Sequence, residues 1–427
     1  MKRTFRSFPV KDVDGIKKQM LNWASRFNIC CFMDSHHYKS PFHSFECLLA
    51  VGCKTAFNAN HSETGSLDDF YATTEDWIFG HFNYEFGNET PVRKTLTEPR
   101  STFPNAFLFV PEIIIKLVGN ELQIGITNDE HLFIYKQLIS CTANSFSKLP
   151  VVNFNSAISR AEYIKTVQQL IAHIKKGDCY EVNFCQEFNA DQVVINSYDL
   201  YAALTAISPN PFSAFYRVNN DYLVCASPER FLQKQGNSLI SQPIKGTAPR
   251  NALDGLKDER NLKALLTSEK DRIENVMIVD LVRNDLSKIC EAGSVKVDEL
   301  FGVYTFPQVY QMISTISGIL KSGVSFTEIL AATFPMGSMT GAPKIKVMEL
   351  IRAYETSYRG IYSGSVGYVT PEKNFDFNVV IRSILYNSTN QFLSYQVGGG
   401  ITSNSIAELE YDECMMKAAA IRNILSS

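Results

Sequence analysis

The chain has 427 residues, of which 45% are hydrophobic and 20% charged, the balance of a globular protein with a core for one large domain or two to three ordinary ones. Its 41 basic and 44 acidic side chains leave a formal net charge of −3, which argues against a nucleic-acid groove or a polybasic membrane face. No apolar run approaches the ~18–20 residues of a spanning helix. The basic opening MKRTFRSFPVKDVDG is not followed by the apolar stretch of a secretory signal, so a cytoplasmic location is expected. The ten cysteines are scattered and include no CxxC pair, so free, mostly buried thiols are expected rather than a zinc site or a disulfide framework. All seven histidines lie at or before His173; chemistry later in the chain therefore falls to Glu, Asp, Lys or Tyr.

Residues 1 to about 150 are rich in aromatics and turn signals, and alternation over Glu121–Ile126 predicts antiparallel strands. The polar stretch 140–160 is the expected linker, which divides the chain into units 1–150 and 155–427. Ser159 and Glu162 form a capping-box pattern that opens a helix running to about Lys176, where Gly177-Asp178 stops it. CYEVNFCQEFNA has strand character. A helix follows near 197–207, then strands around 212–218, 222–226 and 237–242. Ser268 caps a segment with Asp271 at its third helical position, and Ile273, Val276, Met277 and Leu281 fall on one face. Further helices are expected at 325–333, 343–354 and 405–425, with strands at 363–370, 376–386 and 392–397. Strands and helices mix without regular βαβ alternation, so the fold class is α+β with a large antiparallel sheet content.

Several constellations leave two readings open. Asp271 and Glu274 are three apart on a helix, and Glu410 and Glu413 repeat the spacing near the start of the last one. Such acids either favour the macrodipole of a first turn, or meet across a cleft and bind a hard divalent cation. The glycines of VGGGITSNS (397–405) and SGSVGY (363–368) are plain turns, or strand ends whose N–H groups approach an anion. Arg382 lies mid-strand in VVIRSILY, where a buried arginine needs either a structural ion pair or a substrate carboxylate. FPMGSMTGAPK (334–344) ends at a proline in the first turn of a helix, which is an anion-facing terminus or an ordinary cap. In PIKGTAPR (243–250) prolines stiffen the backbone around Lys245, a solvated loop lysine or one placed to react.

Together with ASPERF (226–231), ENVMIVDLVRNDL (274–286), GSVKVDELF (293–301) and GGGITSNSIAELEYDE (398–413), these segments resemble the chorismate-utilising enzymes. That family comprises anthranilate synthase large subunits, aminodeoxychorismate synthase component I, and isochorismate and salicylate synthases. The motifs fall in the family's order over residues 155–427, which the resemblance makes the chorismate-binding catalytic unit; residues 1–150 match loosely. The resemblance implies large antiparallel sheets packed as a sandwich and flanked by helices, and Mg²⁺-dependent chemistry on chorismate. It makes Glu274 and Glu413 metal ligands, with Asp271 and Glu410 as nearby partners. It makes Tyr362, Arg382, Gly398, Gly399 and Gly400 the carboxylate-binding set, joined by Gly246, Thr247, Ser338, Thr340 and the Pro211-Phe212-Ser213 segment. Glu229 becomes the acid/base carboxylate beside C4 of the ring.

Two positions separate the branches. Isochorismate and salicylate synthases resemble one another in carrying a water-activating lysine where this chain has Glu181. Anthranilate and isochorismate synthases show alanine where it has Lys245, the mark of the aminodeoxychorismate synthase component I branch. There the lysine attacks C2 as the C4 hydroxyl leaves, and ammonia then enters at C4. Attack needs a neutral amine, whereas free lysine has a pKa of ~10.4; desolvation and nearby Mg²⁺ are expected to lower it. An anthranilate synthase large subunit, an isochorismate synthase and an inactive chorismate-binding protein are the competing readings. Gln311 stands where the family has a histidine, and the family's tryptophan-feedback signature is absent. No glutaminase is recognisable, so ammonia is expected from a separate glutamine amidotransferase subunit.

Overall fold

In the computed structural model, strands from both ends of the chain are shared between two antiparallel sheets. The structure describes residues 2–426 apart from 39, 41, 43, 44, 60–63, 88–99, 101, 142–147 and 252–253. The first sheet runs in the order Thr4–Pro9, Glu121–Ile126, Ile113–Val118, Cys47–Val51, Ile29–Asp34, Phe212–Val218, Asp221–Ser227, Ser383–Asn387, Phe392–Ile401, Glu181–Ala190 and Gly341–Ala342. The second runs Ile244–Pro249, Val309–Ile319, Ser238–Gln242, Arg230–Gln235, Phe375–Asn378, Ser365–Val369, Ile78–Phe82, Ala106–Val110 and Thr55–Ala59, with Lys296–Thr305 added along Val309–Ile319.

Side chains alternate between the faces of a strand, and here both faces are apolar. One face of each sheet meets the other in a shared layer that includes Cys31, Leu48, Phe79, Phe109, Tyr216, Leu223, Val366 and Leu385. The outer face of the first sheet is covered by helices including Val13–Ala24, Arg160–Lys176 and Ser197–Ile207. Helices Glu269–Ile289 and Phe326–Thr333 cover the second. The molecule is thus an α+β sandwich of antiparallel sheets flanked by helices.

The expected linker lies partly (142–147) outside the described residues, and the segments on either side of it do not form separate sheets. Ile29–Asp34 pairs with Phe212–Val218 in the first sheet, and Ile78–Phe82 pairs with Ser365–Val369 in the second. Helices Val13–Ala24 and His131–Ile139 interrupt the strand-rich reading of the first 150 residues. The final helix is two pieces, Ala407–Lys417 and Ala419–Leu425. All ten cysteines are free, and eight are buried. Among the described residues no helix is long and apolar enough to cross a membrane.

Twice the chain crosses from one sheet to the other at the same seam. Asp221–Ser227 belongs to the first sheet and Arg230–Gln235 to the second, so Pro228 and Glu229 bridge them. Phe375–Asn378 and Ser383–Asn387 repeat the switch in the opposite direction through 379–382. The crossovers are tied together: Val379 N–H donates to Glu229 O at 3.0 Å, and the Ser227 hydroxyl donates to Val379 O at 2.6 Å.

Candidate active site

Arg382 is therefore not mid-strand, as the apolar run around it predicts, but the last residue of a crossover, at φ 51°. A non-glycine residue in this left-handed region carries strain that its surroundings must hold. Among the described residues its guanidinium makes no ion pair; the nearby anion that acts on it is Glu229. Glu229, on the opposite crossover, is 4% exposed, and burial pushes its carboxyl up to about 7. Hydrogen bonds from Ser338 and from the Ile244 backbone oppose that rise, as do the charges of Lys245 and Arg382. A buried carboxyl that holds or loses a proton near neutrality is suited to acid–base work.

Lys245 lies in strand Ile244–Pro249, not in a loop. Ile244 pairs with Ile313 and Thr247 with Gln311, so Lys245 and Gly246 together oppose Met312 alone. This bulge re-aims the side chain between them. Gly246 has φ 97°, and a Cβ there would stand 3.1 Å from both Asp271 Cβ and Leu265 Cδ1. Glycine is what lets the strand take this shape against the helix. The Lys245 side chain is 10% exposed, and its Nζ donates to Glu181 Oε1, on the strand next to the edge of the first sheet. Burial works to lower the Lys245 pKa, but Glu181, Glu274 and Glu229 outweigh it and hold the value above that of ordinary lysine. Desolvation acts in the expected direction, but within the chain itself the three carboxylates around one ammonium decide the sign.

The glycine run supplies the remaining wall. Gly400 pairs with Asn183 and Gly398 with Cys185. A Cβ on Gly400 would lie 2.5 Å from Glu181 Oε1 and 2.7 Å from Lys245 Nζ, and one on Gly398 would lie 2.3 Å from Cys185 Sγ. Gly399 faces the acidic helix, with Glu410 Oε2 at 3.6 Å from the Cβ position. Tyr362 is buried with its hydroxyl 3.7 Å from Cys185 Sγ. The Thr340 hydroxyl donates to the carbonyls of Met336 and Gly337, each at 3.2 Å, so its proton is committed within its own turn.

The two acidic pairs meet, but around a lysine absent from the sequence reading. Lys270 Nζ lies 3.5 Å from Glu410 Oε1, 3.8 Å from Glu274 Oε1 and 4.0 Å from Glu413 Oε2. Burial, together with Glu181 and Glu413, raises Glu274 to about 7 against the pull of Lys245 and Lys270. Among the described residues its buried Oε1 has no hydrogen-bond partner. Glu413 is held below the usual carboxylate range by Lys417, at 2.9 Å, against its partial burial. Asp271 turns away from this cluster to pack on Gly246. Among the described residues no three acidic, histidine or cysteine side chains are grouped closely enough to hold a metal ion; the acids converge on Lys270.

Pro211, Phe212 and Ser213 line a cavity with Met33, Asp34 and Glu46, whose lining does not include Lys245, Glu229 or Arg382. The sequence reading also missed Arg359, fully buried, which donates to Asn183 O at 2.8 Å and Met339 O at 2.6 Å and pairs with Glu355 at 2.6 Å. It locks the strand bearing Glu181 to the turn bearing Ser338. The signal for it was the i,i+4 spacing of Glu355 and Arg359.

A family model described as chorismate binding enzyme matches residues 35–423. The chain belongs to this family. It is 41% identical over 287 residues to a probable chloroplastic aminodeoxychorismate synthase of Oryza sativa subsp. japonica, covering 66% of this chain and 32% of that protein. It is 39% identical over 274 residues to aminodeoxychorismate synthase component 1 of Salmonella typhimurium, covering 64% and 60%. The chain thus spans no more than about three-fifths of these two curated relatives in the matched region. Anthranilate synthase component I from Streptococcus pneumoniae superposes with a TM-score of 0.75 over 90% of this chain and 94% of its own, at 23% identity. That likeness speaks for the fold.

Proposed function

We propose that the protein aminates chorismate at C4 with ammonia to give 4-amino-4-deoxychorismate, a precursor of 4-aminobenzoate and folate. The observation that carries this reading is the placement of Lys245, set by a strand bulge so that its charge, like that of Arg382, acts on the buried Glu229. It is supported by the relatives named aminodeoxychorismate synthase. A dicarboxylate substrate suits this lining: among the described residues Arg382 makes no ion pair, and Gly398 to Gly400 present backbone without side chains.

In this mechanism Lys245 forms a bond from Nζ to C2 while the ring double bonds shift and the C4–O bond breaks. Glu229, protonated, gives its proton to the departing hydroxyl, which leaves as water. Ammonia then bonds to C4, the double bonds shift back, and the bond from Nζ to C2 breaks. The residues around Lys270 fit a hard divalent cation by donor type, since all are carboxylates, and among the described residues the buried Glu274 Oε1 accepts no hydrogen bond. Glu274 and Glu413, with Glu410 beside them, would hold Mg²⁺ once the half-exposed Lys270 moves aside, whereas Asp271 packs on Gly246. Bound there, Mg²⁺ would neutralise a substrate carboxylate. The name component 1 on the Salmonella relative supports ammonia delivery by a separate glutamine amidotransferase subunit.

The test is incubation with chorismate, Mg²⁺ and ammonium, with products identified by mass. The expected product retains the pyruvyl group and carries one nitrogen. Anthranilate with released pyruvate would replace this reading with the anthranilate synthase one. Lys245→Ala should abolish product while chorismate still binds by calorimetry.

A further inference from the structure

Resting on that reading, we propose that Glu181 is the base that frees Lys245 for attack: it takes a proton from Nζ as the bond to C2 forms and returns it when the lysine is expelled. Three observations carry this. The Lys245 ammonium donates directly to Glu181 Oε1, and among the described residues no other carboxylate is in salt-bridge contact with Nζ. Glu181 is 3% exposed, and its backbone is held where Glu181 pairs with Ala342 and Val182 with Ile401. The side chain is thus presented at a fixed height from the first sheet. The Lys245 bulge, built on the second sheet, delivers the ammonium to it across the seam. Finally, Gly400 lets the pair pack directly against the glycine strand, since a Cβ there would stand 2.5 Å from Glu181 Oε1 and 2.7 Å from Lys245 Nζ; the absent side chain keeps donor and acceptor together.

The remaining acids have other duties. Glu229 must begin protonated to serve the leaving hydroxyl, and Glu274 and Glu413 belong to the cluster around Lys270. The protons then balance. In the first half-reaction Lys245 passes one to Glu181 and Glu229 passes one to the hydroxyl, so water leaves and the adduct forms. In the second, the incoming ammonia nitrogen sheds a proton that recharges Glu229, and Glu181 returns its own to the expelled amine. The net change is chorismate and ammonia to aminodeoxychorismate and water.

The experiment mixes enzyme, chorismate and Mg²⁺ without ammonium and follows the Lys245 adduct by intact-protein mass. Glu181→Gln keeps the side chain's shape and should slow adduct formation by about 10²- to 10⁴-fold. Calorimetric affinity for chorismate should stay within about twofold, less than the tenfold that 1.4 kcal/mol represents. The variant's rate should also climb with pH by about tenfold per unit, because bulk hydroxide then supplies the free amine. Glu229, Glu274 and Glu413 also face Lys245, so the profile is read as a difference from wild type. An adduct rate within twofold of wild type, with the same pH profile, overturns the proposal. If E181Q does not fold, Glu181→Asp decides instead: it withdraws the carboxylate by one methylene, so at least about tenfold loss is expected and a wild-type rate overturns the base role. A fully active Lys245→Ala enzyme overturns the covalent reading itself, whereas an inactive one beside an unaffected E181Q overturns the base alone.

Discussion

Lys17 and Lys245 are both buried lysines held by carboxylates, and they differ in what surrounds the pair. The Lys17 side chain is 7% exposed and donates to Asp34 Oδ1 at 2.8 Å and to Glu46. Those carboxylates are bonded again, Asp34 by the His36 N–H at 2.9 Å, Glu46 by the Ser35 hydroxyl at 3.0 Å and the His37 N–H at 2.8 Å. Beside the Lys17 pair one buried polar atom, His36 Nε2, has no hydrogen-bond partner among the described residues; around Lys245 there are four, both ends of the Gln311 amide, Asn275 Nδ2 and Glu274 Oε1. Gln311 is fully buried and pairs across the strands with Thr247. Each unmet buried group costs about 1–3 kcal/mol, which a fold tolerates where a ligand completes the bonding. On the proposed function, buried charge marks structure at Lys17 and a site at Lys245, and the number of unmet neighbours makes the distinction.

Substituting the two lysines tests this contrast most severely. Lys17→Met leaves two buried carboxylates without their cation and should cost about 3–5 kcal/mol in denaturant unfolding, with near-normal turnover in the folded fraction. Lys245→Ala should remove turnover with a smaller stability loss, because it leaves one carboxylate, Glu181, without its direct cation where Lys17→Met leaves two. Equal destabilisation by both, with activity falling only in step with folded protein, would erase the contrast.

The next effect concerns Glu229. Burial raises it to about 7, so the protonated acid predominates below that pH, and turnover should fall about tenfold per pH unit above it. The same raised value means that the stability contributed by this carboxyl is present at low pH and lost as pH rises through about 7. Glu229→Gln should lower kcat by about 10²-fold or more, yet melt at a higher temperature than wild type at about pH 8 and show no such advantage at about pH 5. A variant less stable than wild type at both pH values would show that Glu229 is needed as a charge, as at the Lys17 cluster.

A smaller effect is expected at Lys270, whose ammonium stands among the acids assigned to Mg²⁺. It is 54% exposed, and half-exposed pairs are worth ~1 kcal/mol or less, so Lys270→Met should reduce the Mg²⁺ needed for half-maximal activity by roughly fivefold or less. Chelation with EDTA should stop turnover in both proteins. A higher Mg²⁺ requirement in the variant would mean that Lys270 organises the acids instead of competing for them.

Local features were legible in the sequence because their causes are local. Ser159 and Glu162 form the expected capping box, and the helix Arg160–Lys176 ends at Gly177 with φ 91°. Ser268 caps Glu269–Ile289 by accepting from Asp271 N–H, so both acids of that pair were placed on the right helix. Features set by contacts between distant segments were not legible. Arg382 is embedded in apolar residues on both sides, and nothing nearby reveals that the chain changes sheets there. The Lys245 bulge depends on its register with Val309–Ile319, about 65 residues on, and the two prolines that flank it read as a loop. Gly255–Thr267 was missed because its exposed, charged surface buries little beyond Leu265. Lys270 escaped because a lysine among acids on a helix reads as a surface pair.

The smallest expected effect lies on the Lys17 side of the comparison. The resemblance grouped Pro211, Phe212 and Ser213 with the chorismate carboxylates, but Phe212 lines cavities with Asp34, Glu46, Tyr38 and Arg230. Arg230 stacks over its ring at 4.9 Å and is committed to Asp376 at 2.9 Å, so this guanidinium is neutralised by the protein. Ser213 likewise spends its hydroxyl on Asn210 O at 2.8 Å. A satisfied lining should be indifferent to a substrate bound at Lys245. Phe212→Ala should therefore leave the KM for chorismate and kcat within about twofold of wild type, while lost packing costs about 3–5 kcal/mol at most. A KM raised tenfold or more would mean that this cavity and the Lys245 pocket respond to one ligand, and that bonding around a buried charge does not separate structure from site here.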